Sequence, residues 1–405
     1  MVIRLKRAEY KYENKLALYM NIMMIIDIIR RCFNLFDLSF VYDTEVQAML
    51  YICLFASMFI RKYRDDKKLL NVIAAGLLSV GLFFYGFIME PQVSSIFVIS
   101  IINYFTLVFG TCIFVKEIKN TKVFIDCSTK YIYFCLLYSI IVILTQSKQD
   151  FSPYSMTFSF NCFFPLGLSL ILGFFGKKRI NIVYAIIILG VNMAIGSRSI
   201  VIYTFMIAVG IYLYLSRNKY YALKLIFGIF AVYFVFDYKN ITSWVGTYLL
   251  NFFPNSRTIE LLSNGKIFVL SGREKYFDII GTSLSENPFV IHGLLTDRII
   301  IGNSIGHTTY ITEYPHNIFL EVFYQHGIIL GLLFFIVLLF VVIKSIIVAI
   351  KLRDRGKWDI ALMIIAVSFA ASQLLVSNSY IISMSFGLLV GTSLCLINHG
   401  KERSF

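Results

Sequence analysis

Apolar blocks of sixteen residues or more follow one another along the chain, and no other feature limits its folds as much. Blocks of that length match a hydrocarbon layer of roughly 30 Å, which an α-helix crosses in about 20 residues. Within the layer no water can pair with the backbone, so every N–H and C=O must bond inside its own segment. A membrane β-barrel would show alternating segments of about ten residues, and these blocks do not alternate. The fold class expected from the sequence is therefore all-α: a polytopic integral membrane protein of about twelve transmembrane helices. Composition agrees, because only 15% of the 405 residues are charged, against about 25% in a soluble domain.

Candidate spans lie near 17–36, 45–61, 69–88, 94–116, 131–146, 157–175, 179–195, 199–215, 222–237, 323–349, 358–376 and 379–397. Asp27 and Arg30 interrupt the first. A net charge of +14 invites a nucleic-acid reading, but the Lys and Arg residues sit in short loops, where membrane topology accounts for them. The loops expected inside are basic: the N-terminus with Arg4, Lys6, Arg7, Lys11 and Lys15, then Arg61–Lys68, Lys116–Lys130, Lys177–Arg179, Arg217–Lys224, Lys351–Lys357, and the tail with Lys401 and Arg403. The alternate loops are poor in positive charge, so both termini are expected to be cytoplasmic. The same cations suit an anionic inner leaflet. No nucleic-acid partner is expected, and no removable signal peptide is read at the N-terminus. The seven Cys form no CxxC, which argues against a disulfide framework or a zinc site.

Three regions follow. Residues 1–237 are expected to form N-terminal transmembrane helices, 238–315 one large extracytoplasmic loop between the ninth and tenth spans, and 316–405 C-terminal transmembrane helices. A loop that long inside a compact protein is usually functional. Its apolar residues, Ile279, Ile280, Leu284, Phe289, Val290, Leu294 and Ile299 to Ile301, suggest short helices packed on the membrane part.

Candidate chemistry collects on the outer face. Arg198, in the turn Gly196-Ser197-Arg198-Ser199, breaks the poverty of short outer loops in positive charge. Arg273 lies in the long loop, and His316 lies in Pro315-His316-Asn317, where that loop re-enters the membrane. A guanidinium stays charged and donates in a planar fork that matches phosphate, so two of them at a membrane surface suit an anionic lipid headgroup, notably a pyrophosphate. An interfacial snorkel or helix cap is the structural alternative for Arg198. A His at a helix start is disfavoured as imidazolium, and neutral imidazole can accept a proton. Taken alone, His316 reads first as a His that caps its own helix or is satisfied in a core. Glu321 can orient the His, pair with an Arg, or be purely structural. His326 reads as packing, and His292 and His307 as loop residues. The chain has no HExxH, DxD, GxGxxG or GxxxxGK[ST], so an enzyme of this kind would use neither ATP nor a metal, and its energy would reside in the donor.

Taken in order, GSRS at 196–199, SGREKYFDIIGTSLSENPFVIHG at 271–293 and PHNIFLEVFYQHGIILGLLFF at 315–335 resemble the O-antigen ligase and polymerase family. Its pattern is a Ser-Arg turn, a Gly-Arg opening a loop helix that runs to a Pro and a Gly, and a His-Asn helix ending in Gly-hydrophobic-hydrophobic-Gly. Asn287-Pro288 and Gly293 fill the middle, and Gly327 and Gly331 fill the end with one extra residue between them. Tyr276 and Phe277 stand near the family's usual loop-helix aromatic. The resemblance implies a large integral-membrane glycosyltransferase in the bacterial cytoplasmic membrane, with its active site outside. It implies an undecaprenyl-pyrophosphate-linked oligosaccharide donor, an inverting transfer and no cofactor. Arg198 and Arg273, with Ser197, Asn317 and Glu321 near them, would bind substrate, and His316 would activate the acceptor hydroxyl. Membrane lipid, a chain-length regulator and a flippase of the same pathway are the implied partners. Polymerase is the first expectation and ligase, with lipid A core as acceptor, the second. A lipid-linked oligosaccharide transporter and a non-catalytic scaffold are the rivals from other classes.

Overall fold

A computed structural model describes residues 2–35, 44–63, 69–146, 156–195, 199–215, 243, 246–248, 250–251, 257–265, 273–307, 310, 313–351, 356–375 and 378–403. These are helical, with no strand among the described residues. In chain order they are α1 (Val2–Leu35), α2 (Thr44–Tyr63), α3 (Leu69–Met89), a 3₁₀ turn (Pro91–Val93), α4 (Ser94–Asn103), a π-helical segment (Tyr104–Phe109), α5 (Gly110–Lys116), α6 (Thr121–Ser128), α7 (Lys130–Gln146), α8 (Met156–Phe174), α9 (Ile180–Ala194), α10 (Ser199–Leu215), α11 (Arg257–Ser263), α12 (Glu274–Glu286), α13 (Thr296–Ile305), α14 (Ile318–Lys351), α15 (Lys357–Leu374) and α16 (Met384–Arg403).

Among the described residues, five helical stretches are long and apolar enough to cross a membrane: Leu69–Met89, Pro91–Lys116, Thr121–Leu144, Ile318–Lys351 and Lys357–Leu374. Shorter apolar helices occupy Met49–Ile60, Phe158–Phe174, Ile180–Ala194 and Ser199–Tyr214. The sequence pattern alone suggests about twelve spans; the difference lies in these shorter helices, in the charged α1 and the partly polar α16, and in 222–237, which lies outside the described residues. Only 11% of the most apolar window of α14 is buried against protein. Ile329, Leu333, Ile336, Leu339 and Phe340 are exposed there, as lipid-facing residues are in a bilayer.

The chain divides into two compact units. One comprises Asn21–Tyr42 and Ile125–Val269. There Asp27 of α1 is buried, receives Arg31 Nε at 3.0 Å and Arg30 Nη1 at 3.9 Å, and accepts the Tyr138 hydroxyl. The charges that interrupt the first apolar block thus neutralise one another locally. Between α8 and α10, Phe163 packs on Tyr203 with ring centroids 4.7 Å apart.

The other unit comprises Met1–Met20, Asp43–Phe124 and Leu270–Phe405. Here α16 lies against α5, and Gly387-Leu388-Leu389-Val390-Gly391 makes the contact. A Cβ on Gly387 would strike the Val108 carbonyl, and one on Gly391 would come within 2.7 Å of the Cys112 oxygen. Small residues four apart let helix backbones approach closely where no hydrophobic drive separates helix from lipid.

The segment between α12 and α13 is fastened by its backbone to a break in α14. Gly327 has φ 70° and ψ 161°, so the helix is interrupted between 318–326 and 328–351. A break frees a carbonyl and an amide, and buried backbone groups must be paired. The Gln325 oxygen accepts Gly293 N at 2.9 Å, and Ile328 N donates to the Pro288 oxygen at 2.9 Å. Tyr85 Oη donates to the Ile291 oxygen at 3.2 Å, tying the same segment to α3. Asn303 Nδ2 donates to Gln92 Oε1 at 3.0 Å, tying α13 to the 3₁₀ turn. Gly327→Ala is expected to destabilise by about 1–3 kcal/mol from backbone strain alone, since this φ/ψ region is essentially reserved for glycine. Its Cβ would also meet the Phe289 oxygen at 2.9 Å. The detergent-solubilised melting temperature checks this against Gly81→Ala, a helical position with nothing within 4 Å, where stability should hold or rise.

Candidate functional site

Arg273 immediately precedes α12 as its N-cap residue. His316 sits just before α14 with φ 54°, a left-handed conformation. Asn317 caps α14: its Oδ1 accepts Phe319 N at 2.9 Å and Leu320 N at 3.3 Å. These bonds satisfy amides that a helix start leaves orphaned and oblige the preceding residue to turn sharply. Left-handed backbone in a non-glycine residue costs on the order of 1–3 kcal/mol and persists where the surroundings over-determine it.

Two tyrosines supply those surroundings. The His316 ring lies 4.2 Å from Tyr314, tilted by 47°, and 6.1 Å from Tyr276 at 13°. Tyr276 Oη donates to Glu313 Oε2 at 2.6 Å, and Glu313 Oε1 pairs with His307 Nδ1 at 3.1 Å. Burial pushes the Tyr276 phenol up to about 12, with Glu313 adding and Arg273 opposing. Burial likewise pushes Tyr314 up to about 12, with the charges of Arg298 and Arg273 both opposing. The two rings beside His316 are thus the ones the Arg273 charge reaches, and Arg273 and His316 are each partly exposed. Such a guanidinium can hold an oxyanion, and such an imidazole can take a proton.

Behind Tyr314 lies a charged network that the sequence reading missed. Arg298 is fully buried, with its guanidinium 5.1 Å over the Tyr314 ring, and Nη2 donates to Ser379 Oγ at 3.2 Å. Ser379 Oγ in turn donates to Glu321 Oε1, and Tyr380 N donates to Glu321 Oε2 at 3.4 Å. Asp297 Oδ1 accepts Gln325 Nε2 at 2.6 Å, and Tyr380 Oη donates to Gln325 Oε1 at 2.6 Å. The Tyr380 hydroxyl has a single proton, so His326 Nε2, 3.0 Å from it, is the donor in that pair. Glu321 is thus occupied within the protein, and His326 is bonded rather than merely packed. The available signal was an Asp-Arg pair, Asp297-Arg298, set between the apolar runs Leu294-Leu295 and Ile299-Ile300-Ile301.

Burial pushes the Asp297 carboxyl up to about 6, with Arg298 and the Gln325 bond opposing. Its Oδ2 is buried with no hydrogen-bond partner among the described residues, which adds to the cost of the charged form. The folded state then holds this proton more tightly than the unfolded chain, whose Asp titrates near 3.9. Stability is full below about pH 4 and declines until the pH passes about 6. In Asp297→Asn that part of the decline should vanish from melting curves taken across the same window.

Arg198 and Ser197 lie outside the described residues. His292 stacks on Tyr324 at 4.2 Å and 2°. Comparison of the chain with protein-family models, curated proteins and solved structures gives no match.

Proposed function

We propose that the protein is a polysaccharide polymerase that transfers an undecaprenyl-pyrophosphate-linked glycan onto a lipid-linked repeat unit. The observation that carries this reading is that the Arg273 charge reaches Tyr276 and Tyr314, the two rings that lie beside His316. The ordered motifs shared with the O-antigen ligase and polymerase family support it. The active site faces the extracytoplasmic side of a bacterial cytoplasmic membrane, by the charge bias of the loops.

The acceptor hydroxyl attacks the anomeric carbon, and His316 takes its proton. The bond from that carbon to the pyrophosphate oxygen breaks, and its electron pair leaves on the pyrophosphate. Arg273 holds the departing group, whose growing negative charge is bound more tightly in the transition state than in the ground state. Attack opposite the leaving group inverts the centre. Glu321 and Arg298 keep Tyr314 and the start of α14 in place.

Glycan ladders from a deletion strain and its complemented parent test the assignment. Loss of polymer with single repeats still attached supports polymerase action. Polymer retained on its lipid carrier with no attachment indicates the ligase. Lipid-linked sugar moved across proteoliposomes by the purified protein, with no change in glycan length, indicates a transporter.

A further inference from the structure

A cavity of about 400 Å³ opens where α3 ends. Its wall includes Glu90, His292, Asn303, Ser304 and Tyr324. The volume falls within the roughly 300–1,000 Å³ of small-molecule sites. The cavity shares α13 and α14 with the Arg298 network, yet its chemistry is opposite in sign. Among the described residues neither Lys nor Arg lines it, and Glu90 contributes a carboxylate. An oxyanion would be repelled there.

The wall offers hydrogen bonds instead. The Glu90 carboxylate accepts a long bond from Gln92 N at 3.4 Å and retains acceptor capacity. His292 Nε2 is buried without a partner among the described residues, a state that polar atoms in proteins rarely keep. Burial pushes the imidazole down, favouring the neutral ring, which has one donor and one acceptor nitrogen. Stacking on Tyr324 at 4.2 Å fixes its orientation. Asn303 is held by Gln92 and by the Tyr310 hydroxyl at 2.9 Å. Carboxylate, amide, imidazole and hydroxyl groups around a space without a cation among its described lining residues match a ligand rich in hydroxyls.

We infer that this cavity binds a sugar residue of the glycan, its hydroxyls pairing with Glu90, His292, Asn303 and Ser304. The inference rests on the glycan-transfer reading, for which it supplies a carbohydrate subsite separate from the anion-binding Arg273.

Full-length protein in lipid nanodiscs, applied to an array of bacterial surface oligosaccharides, tests it. Geranylgeranyl pyrophosphate binding to the same preparations reports the anionic site. Wild type is expected to bind members of the array. Glu90→Gln/Asn303→Ala should bind them at least about ten-fold more weakly, as when hydrogen bonds to a charged group are lost. Ser304→Trp, which fills the cavity, should do the same, and pyrophosphate binding should be unchanged in both. Arg273→Ala should show the reverse. No array binding by wild type, or binding unchanged in the Glu90/Asn303 and Ser304 variants, overturns the subsite. Oligosaccharide binding without pyrophosphate binding sustains the subsite and removes the support for the proposed transfer.

Discussion

His316→Gly is expected to abolish glycan polymer while leaving the protein at normal or raised abundance. The two effects separate because His316 holds φ 54°. Glycine adopts that conformation freely, so the substitution relieves strain where most variants add it. The imidazole is lost with it, and removing a general base costs typically 10²–10⁴ in rate. A purely structural His316 gives the opposite result, wild-type ladders from a more stable protein. Arg273→Lys extends the test. It keeps the positive charge near Tyr276 and Tyr314 but not the planar fork, and loss of one preorganised donor to a developing anion costs about 10²–10³. Immunoblots beside the ladders measure abundance. Normal ladders from both variants at wild-type levels would falsify the transfer mechanism.

Arg298→Leu is expected to fail differently, by loss of folded protein. Its guanidinium faces Ser379 and Tyr314, and Glu321 and Asp297 are fully buried nearby. Deleting one partner of a buried ionic group leaves uncompensated charge, at a cost on the order of 3–5 kcal/mol. Detergent-solubilised protein should melt well below wild type or be absent. Glu321→Gln in the same chain replaces the acid next to the lost guanidinium with a neutral amide while keeping an oxygen for Ser379 and Tyr380. The double variant should recover part of the lost stability. A double variant no more stable than Arg298→Leu alone would show that Arg298 acts chiefly through its packing on Tyr314.

Local patterns were legible beforehand. The long apolar helices follow from hydropathy, which is written residue by residue and acts over one bilayer thickness. Arg273 ahead of a helix and His316 beside a cap could be singled out because Gly-Arg-Glu and Pro-His-Asn carry that information within a few positions. The buried network could not. Arg298 looked like one more loop charge, and nothing near it in sequence shows that Ser379 and Tyr314 enclose it. Glu321 stayed ambiguous for the same reason, since its partners Ser379 and Tyr380 come from beyond the next helix.

The sequence by itself determined that the chain is helical and apolar over membrane-spanning lengths, and that Arg and His residues cluster at two motifs in the loop region. Only the tertiary structure decided which charge is buried, which rings hold His316, and that Gly327 breaks α14 to receive the 288–293 backbone. Hydropathy and capping act between near neighbours and survive in the unfolded chain as pattern. Burial and pairing across long sequence separations arise only once distant helices pack.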